Sequence, residues 1–353
     1  MGSGFQGKKV FVTGGLGFIG SNLALALDRL GAEVTVADSR EAGCGACDFN
    51  LAEAGGRLHC LTANIGDAGR IEPALAGSEL VFNLAGEISH IHSIDYPERD
   101  LELNVHSQLA FLRSCQEVTP RARVVYASSR QLYGAPDYLP VDEKHPIRPV
   151  DFNGVHQWAA ENYHYLFASL YGMEVVCLRL TNVYGPRQSL LRPCQGFIGT
   201  FFRLALHGEE IQVYGDGRQL RDMLYVDDAV EAFLLAGAAP SPGQVYNVGG
   251  AEPLTLFEIA QTVARAAGAS PVECVPFPED RQVIDIGSYY SDNSRIRAEL
   301  GWEPRTDFLR GAGQTVAFYR RFAEHYLNGP VHPPCQLKGL PRQLPERVGK
   351  AAG

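Results

Sequence analysis

The sequence predicts an α/β fold, a doubly wound parallel sheet with a smaller α/β substrate-binding lobe, and three observations predict it. Short β-rich runs alternate with longer amphipathic segments through the first half of the chain. A glycine-spaced turn lies between the first run and the first amphipathic segment. Beyond about Leu180 the alternation loosens, and helices are separated by only short strands.

Taken in order, KKVFVTG, AEVTVAD, LHCLTAN, ELVFNLAG, ARVVYASS and MEVVCLRL read as strands. SNLALALDRLG, GRIEPALAG, a long segment from about Pro97 to Glu117 and AAENYHYLFASLYG read as the helices between them. In the second half FIGTFFRLALHG, VDDAVEAFLLAG and LTLFEIAQTVARAAG read as helices, with IQVYG and QVYNVG as short strands. TDFLRGAGQTVAFYRRFAEHYLNG reads as a last helix with a leader. Residues 331–353 are Pro-rich and basic and are expected to be extended or disordered. The expected division is therefore a domain over 1–180, a second lobe over 181–330 that crosses back to the first near 223–237, and a tail.

Composition narrows the class. A chain of 353 residues with 45% hydrophobic and 20% charged residues is ordinary for a globular protein. The net charge of −9 weighs against nucleic acid or an anionic membrane as the main partner, so an anionic ligand needs local Arg or helix N-termini. No apolar run reaches the roughly 18–20 residues of a membrane span. MGSGFQGKKV leads straight into VFVTGG without the look of a leader, and a cytoplasmic location is expected. Eight cysteines are scattered; Cys44 and Cys47 form a CxxC, but no second pair or paired His stands at ligand spacing, so loop thiols and no metal are expected.

VFVTGGLGFIGSNLALAL carries the first chemistry. Gly14, Gly17 and Gly20, with Phe18 and Ile19 between them, stand where a strand meets a helix. A dinucleotide pyrophosphate needs a tight turn there, close backbone approach and a helix packed on its strand, which is the Rossmann arrangement. The second strand ends in Asp38, an acidic side chain that accepts ribose hydroxyls and repels a 2′-phosphate, so NAD is expected over NADP, with Arg40 close enough to soften the preference.

These residues carry a resemblance. The chain resembles an extended short-chain dehydrogenase/reductase of the NAD-dependent nucleotide-sugar epimerase/dehydratase family, from Lys8 to about Trp302. TGGLGFIG matches the family's TGGxGFIG, and NLAG matches its HLAA, which places Leu84, Ala85 and Gly86 along the cofactor. Asn104 in ELNVHSQ matches a helix Asn on the nicotinamide side, and Asn64 and Ile65 are placed with the cofactor too. NVYGP at Asn182–Pro186, GDGRQLRDMLYVDD, YNVGG and ELGWEP complete the match. Arg221 stands where relatives bind a diphosphate, and Asn182 and Arg281 are assigned to the substrate.

The resemblance also exposes a departure. Ser129 takes the place of the family's Ser or Thr, with Gly134 as the anchor of its VYG-like motif. The family's Tyr-x-x-x-Lys aligns with NGVHQ, which puts Asn153 at the tyrosine and Gln157 at the lysine. Neither amide transfers a proton near neutral pH, and general acid–base help of this kind is worth about 10²–10⁴-fold. Asn153 and Gln157 still offer hydrogen bonds to a sugar hydroxyl and a ribose. Glu87, aligned with a glutamate of dehydratase relatives and expected to point into the sugar site, and His156 are candidate replacement bases. His90 and His92 read as ordinary loop histidines.

Dehydratase relatives follow their Thr with Asp and Glu; here Arg130 and Gln131 stand there, and Arg130 either steadies a substrate charge or forms a structural ion pair. The resemblance implies an NAD-dependent nucleotide-sugar epimerase acting by transient hydride transfer. A dehydratase with a non-standard base and a non-catalytic NAD or nucleotide-sugar binding protein stay open. It implies a homodimer as well, formed through the helices around Pro97–Glu117 and Ala159–Tyr171.

Overall fold

The computed structural model describes residues 4–41, 44–192, 196–239, 244–278 and 284–328. The tail and Arg281 lie outside them. The first half runs β1 (Lys9–Thr13), α1 (Phe18–Arg29), β2 (Glu33–Asp38), β3 (Leu58–Thr62), α2 (Ala68–Leu75), β4 (Leu80–Asn83) and α3 (His90–Asp95). It continues through α4 (Pro97–Leu101), α5 (Ser107–Val118), β5 (Arg123–Ser129), α6 (Phe152–Tyr171) and β6 (Glu174–Leu180). The second half holds β7 (Asn182–Tyr184), α7 (Phe197–Leu206), β8 (Ile211–Tyr214), β9 (Leu220–Tyr225) and α8 (Val226–Ala238). After these come β10 (Gln244–Val248), β11 (Pro253–Thr255), α9 (Leu256–Ala266) and β12 (Val272–Val275), with later helices at Ser294–Leu300 and Phe308–Arg321.

Seven parallel strands form one sheet in the order β10-β6-β5-β4-β1-β2-β3. Its central strands are near-continuous apolar runs because helices cover both faces. On one face Leu23 and Leu27 of α1 join Phe233 and Ala236 of α8 in a core with Val12 and Phe82. On the other, Phe111 and Leu112 of α5 and Ala160 and Phe167 of α6 pack with Phe11 and Val124. Each Leu, Val or Phe among them contributes about 1.5–3 kcal/mol when fully buried. This is the doubly wound arrangement expected, and the order reverses between β1 and β4, where such sheets open a crevice at their carboxyl ends.

Three differences have physical reasons. The return to the main sheet extends past 223–237: β10 pairs with β6, since buried Tyr246 and Val248 cover what is otherwise its open edge. The segment from Pro97 is interrupted by a π-helical turn at Glu102–His106, which carries Asn104 into the interior. SHIHS is a helix rather than a loop, because the Ser89 side chain accepts from His92 N and caps α3. The remaining strands form a three-stranded sheet, β11-β9-β7, and a β12-β8 pair. Among the described residues no helix is long and apolar enough to cross a membrane.

Candidate active site

A cleft of about 450 Å³ opens over the carboxyl ends of the main sheet, at the order reversal. Its floor is the glycine turn. Gly14 has φ +65°, and a Cβ there would meet Leu84 O at 2.7 Å, so the turn packs directly on the segment after β4. Gly17 precedes α1 without a capping side chain, leaving the helix N-terminus open to an anion. Thr13 ties the two segments together: its hydroxyl donates to Asn83 Oδ1 (2.7 Å) and accepts from Leu84 N and Ala85 N (3.0 Å each).

Phe18, Ile19, Gly20, Asp38, Asn64 and Ile65 line the same end, together with Leu84, Ala85 and Gly86. Asp38 accepts from Leu16 N (3.1 Å) and Arg40 N (2.9 Å), so its carboxylate is fixed at the end of β2. Arg40 turns its guanidinium to Asp48 and Thr62 instead. An open helix N-terminus and a fixed carboxylate at the second strand fit a dinucleotide that has two free ribose hydroxyls.

At the other end the cleft is polar. Ser129, Arg130, Gln131, Gln157 and Asn182 line it, with His90 facing them. The end of β5 is anchored from below. Ser128 Oγ donates to Glu161 (2.5 Å), which is ion-paired with buried Arg179, and Arg179 reaches Tyr133 (2.7 Å). Ser129 accepts from Gln131 N (3.2 Å), which shapes the turn that presents Arg130 and Gln131. Arg130 has no ion pair among the described residues; its guanidinium lies 5.1 Å from the Tyr289 ring. Burial lowers its pKa. Arg221, beside it, is pushed down to about 10 by burial and by Arg130. Burial lowers the pKa of both guanidiniums even though Asp222 and Asp151 act on Arg130 and Asp285 and Asp222 on Arg221, a setting that favours an anionic ligand.

Several sequence assignments are corrected here. Glu87 does not line the cleft: its carboxylate accepts from Ile88 N (2.9 Å), Ser89 N (3.0 Å) and the Cys44 thiol (3.5 Å), and it is 4% exposed. Cys44 does reach the cleft, but burial and Glu87 push its thiol up to about 12, so it stays protonated. His156 faces Asp100 (2.6 Å) in the interior. Asn153 is wholly buried, and its amide donates to Glu87 O (2.8 Å) and Asp100 (2.9 Å) rather than toward a sugar.

Asn104 is likewise internal, bonded to both the N–H and the C=O of Glu87 next to Gly86, and it is not part of the cleft lining. Arg221 donates to Leu220 O (2.8 Å) and Gly287 O (2.5 Å) and stands off the cleft wall. Gln157 alone of the NGVHQ pair reaches the cleft, where it accepts from Tyr126 OH (2.9 Å). For Asn104, Asn153 and His156 the common cause is Asp100, a buried carboxylate on α4 that draws both amides and the ring inward.

Sequence reasoning missed His90. One ring nitrogen, Nδ1, pairs with Asp151, the carboxylate that also caps α6 by accepting from Gly154 N (2.7 Å). The other, Nε2, faces the Gln131 amide (2.6 Å) inside the cleft. Burial opposes charge on Asp151, but His90, the Gly154 N–H and Arg130 outweigh it, and the carboxyl sits below its ordinary pKa. The one available signal was the Asp at the helix cap.

Comparison with known proteins agrees with this fold. A model described as the NAD dependent epimerase/dehydratase family matches residues 10–249. The chain is 32% identical over 314 residues to a UDP-glucose 4-epimerase of Mycolicibacterium smegmatis, covering 88% of this chain and 98% of that protein. It is 33% identical over 327 residues to a dTDP-glucose 4,6-dehydratase of an Actinoplanes species, with the same coverages. A Thermus thermophilus UDP-glucose 4-epimerase solved with NAD superposes with a TM-score of 0.78 at 30% identity, covering 88% of this chain and 99% of that one.

Proposed function

The chain belongs to the NAD dependent epimerase/dehydratase family, and from that premise we propose that it is a nucleotide-sugar epimerase working by transient hydride transfer with a non-standard acid/base. NAD, held by the Gly14–Gly20 turn and Asp38, supplies hydride acceptance and return at a sugar carbon. The carrying observation is the pair Arg130 and Gln131 on the cleft wall. Elimination of a hydroxyl needs one group to protonate it and another to take a carbon-bound proton. A guanidinium and an amide do neither. Glu87, the remaining candidate for dehydration, is turned away and capped by two backbone N–H groups. Oxidation and re-reduction at one carbon asks for less: a single proton acceptor, with donors such as Ser129 to steady the sugar oxygen.

Arg130 and Arg221 supply the charge for a substrate diphosphate, Arg130 from the wall and Arg221 from the layer beneath it. The same reading includes a homodimer through α5 and α6, supported by an exposed apolar stripe on α6 formed by Val155, Trp158, Leu166 and Leu170. The test is incubation of the protein and NAD with UDP-glucose, UDP-N-acetylglucosamine and dTDP-glucose, followed by NMR of the sugar. A C-epimer with the sugar's formula unchanged is the expected result. A dehydrated or decarboxylated product overturns the epimerase assignment, and no product from any of the three overturns catalysis on these sugars.

A further inference from the structure

The replacement for the missing tyrosine is on the cleft wall, and it comes from neither candidate that the sequence nominates. We propose that His90 is the proton acceptor and donor of this site and that Asp151 is its positioning residue; the inference rests on the functional reading above. Asp151 is an acceptor only, so the His90 nitrogen that faces it, Nδ1, carries the proton. The proton-free lone pair is thereby placed on Nε2, inside the cleft and against the Gln131 amide (2.6 Å). That is the state a general base needs.

The dyad is built from fixed parts. Asp151 is 1% exposed at its side chain and holds α6 through Gly154 N, so its second oxygen has little freedom. His90 stands at the first position of α3, whose cap Ser89 is itself bonded. Its side chain keeps 32% exposure, and that exposed part faces the polar end of the cleft. Gln131 holds the Nε2 lone pair in the meantime, also donating to Ile88 O (3.2 Å). Its Oε1 is buried without a hydrogen-bond partner.

In the step proposed, a sugar hydroxyl displaces the Gln131 amide from Nε2. Its O–H bond breaks and an N–H bond forms, giving an imidazolium that Asp151 stabilises. The electron pair left on oxygen becomes the second bond of a carbonyl as the carbon-bound hydrogen leaves with its pair to NAD. Return of hydride to the opposite face and of the Nε2 proton to oxygen restores a hydroxyl, so no net oxidant is consumed.

The experiment compares the full chain with His90→Gln and Asp151→Asn, on UDP-glucose, UDP-N-acetylglucosamine and dTDP-glucose. His90→Gln is expected to lower kcat by about 10²–10⁴-fold, with KM and NAD affinity little changed. Asp151→Asn keeps an oxygen for the α6 cap but turns an N–H toward Nδ1, which moves the ring proton to Nε2. Histidine ¹⁵N spectra report this without turnover: the resonance missing from His90→Gln is that of His90, expected protonated on Nδ1 in the native chain and on Nε2 in Asp151→Asn. Unchanged kcat in His90→Gln overturns the dyad and leaves the enzyme assignment standing. A native His90 carrying its proton on Nε2 alone overturns the dyad as well. Absence of turnover by the native chain on all three sugars overturns the functional reading, and the dyad's role with it.

Discussion

Acid should loosen this protein through one residue that no substrate touches, His164 on α6. The ring is completely buried and stacked on Tyr126, with 4.1 Å between centroids. Nδ1–H donates to Ala160 O (2.8 Å), so Nε2 is the acceptor for the Asn83 amide (3.2 Å). Burial lowers its pKa from 6.5 to about 4, against the opposing bond to Ala160. Between those two values the unfolded chain binds a proton that the folded chain does not. Stability therefore rises with pH across this window and is lost as pH falls from 6.5 toward about 4. The difference of about 2.5 units, at about 1.36 kcal/mol each, amounts to about 3 kcal/mol.

Protonation would also set an N–H against the Asn83 amide, whose oxygen anchors Thr13 and through it the segment Leu84–Ala85. Urea unfolding of the native chain and His164→Gln, followed from above pH 6.5 to about pH 4, isolates the effect. Glu143, Asp222 and Asp227, raised by burial, push the other way but are common to both proteins and cancel in the difference. The native chain should lose about 3 kcal/mol more than the variant across the window. Parallel curves would refute the reasoning.

Two further outcomes follow from the cleft. Asp38→Ala should weaken NAD binding and narrow the gap to NADP, read by calorimetry; because Leu16 N and Arg40 N also lose their acceptor, the turn should become more labile to proteolysis. Tighter binding of NADP than NAD by the native chain would sink that account. Arg221→Ala should raise KM for the nucleotide sugar far more than it alters NAD affinity, since its charge lies beside Arg130 and away from the glycine turn. Equal changes in both constants would place the diphosphate elsewhere.

The fold and the cofactor end were legible in the sequence because their physics is local. A dinucleotide turn needs Gly14, Gly17 and Gly20 within seven consecutive residues, and Asp38 one strand later, so residue type and spacing carry the whole message. Parallel strands covered on both faces write themselves as apolar runs between amphipathic helices. The expected departure at Asn153 and Gln157 rests on aligning one short motif, NGVHQ, and of the two only Gln157 lines the cleft. The direction of side chains was not visible. Glu87 and His156 have the right chemistry at the right positions, yet a pair of backbone N–H groups claims one and Asp100 claims the other. Asp100 acts from 53 and 56 residues away on Asn153 and His156. The His90 pairing is equally remote: Gln131 is 41 residues from it and Asp151 is 61. Such contacts have no spacing rule, because they exist only once the sheet brings the ends of β4 and β5 and the start of α6 to one edge. The glycine motif and Asp38 marked the NAD end from residue type and spacing; packing decided that His90 lines the cleft while Glu87 and His156 do not, because that depends on contacts made only in the folded chain.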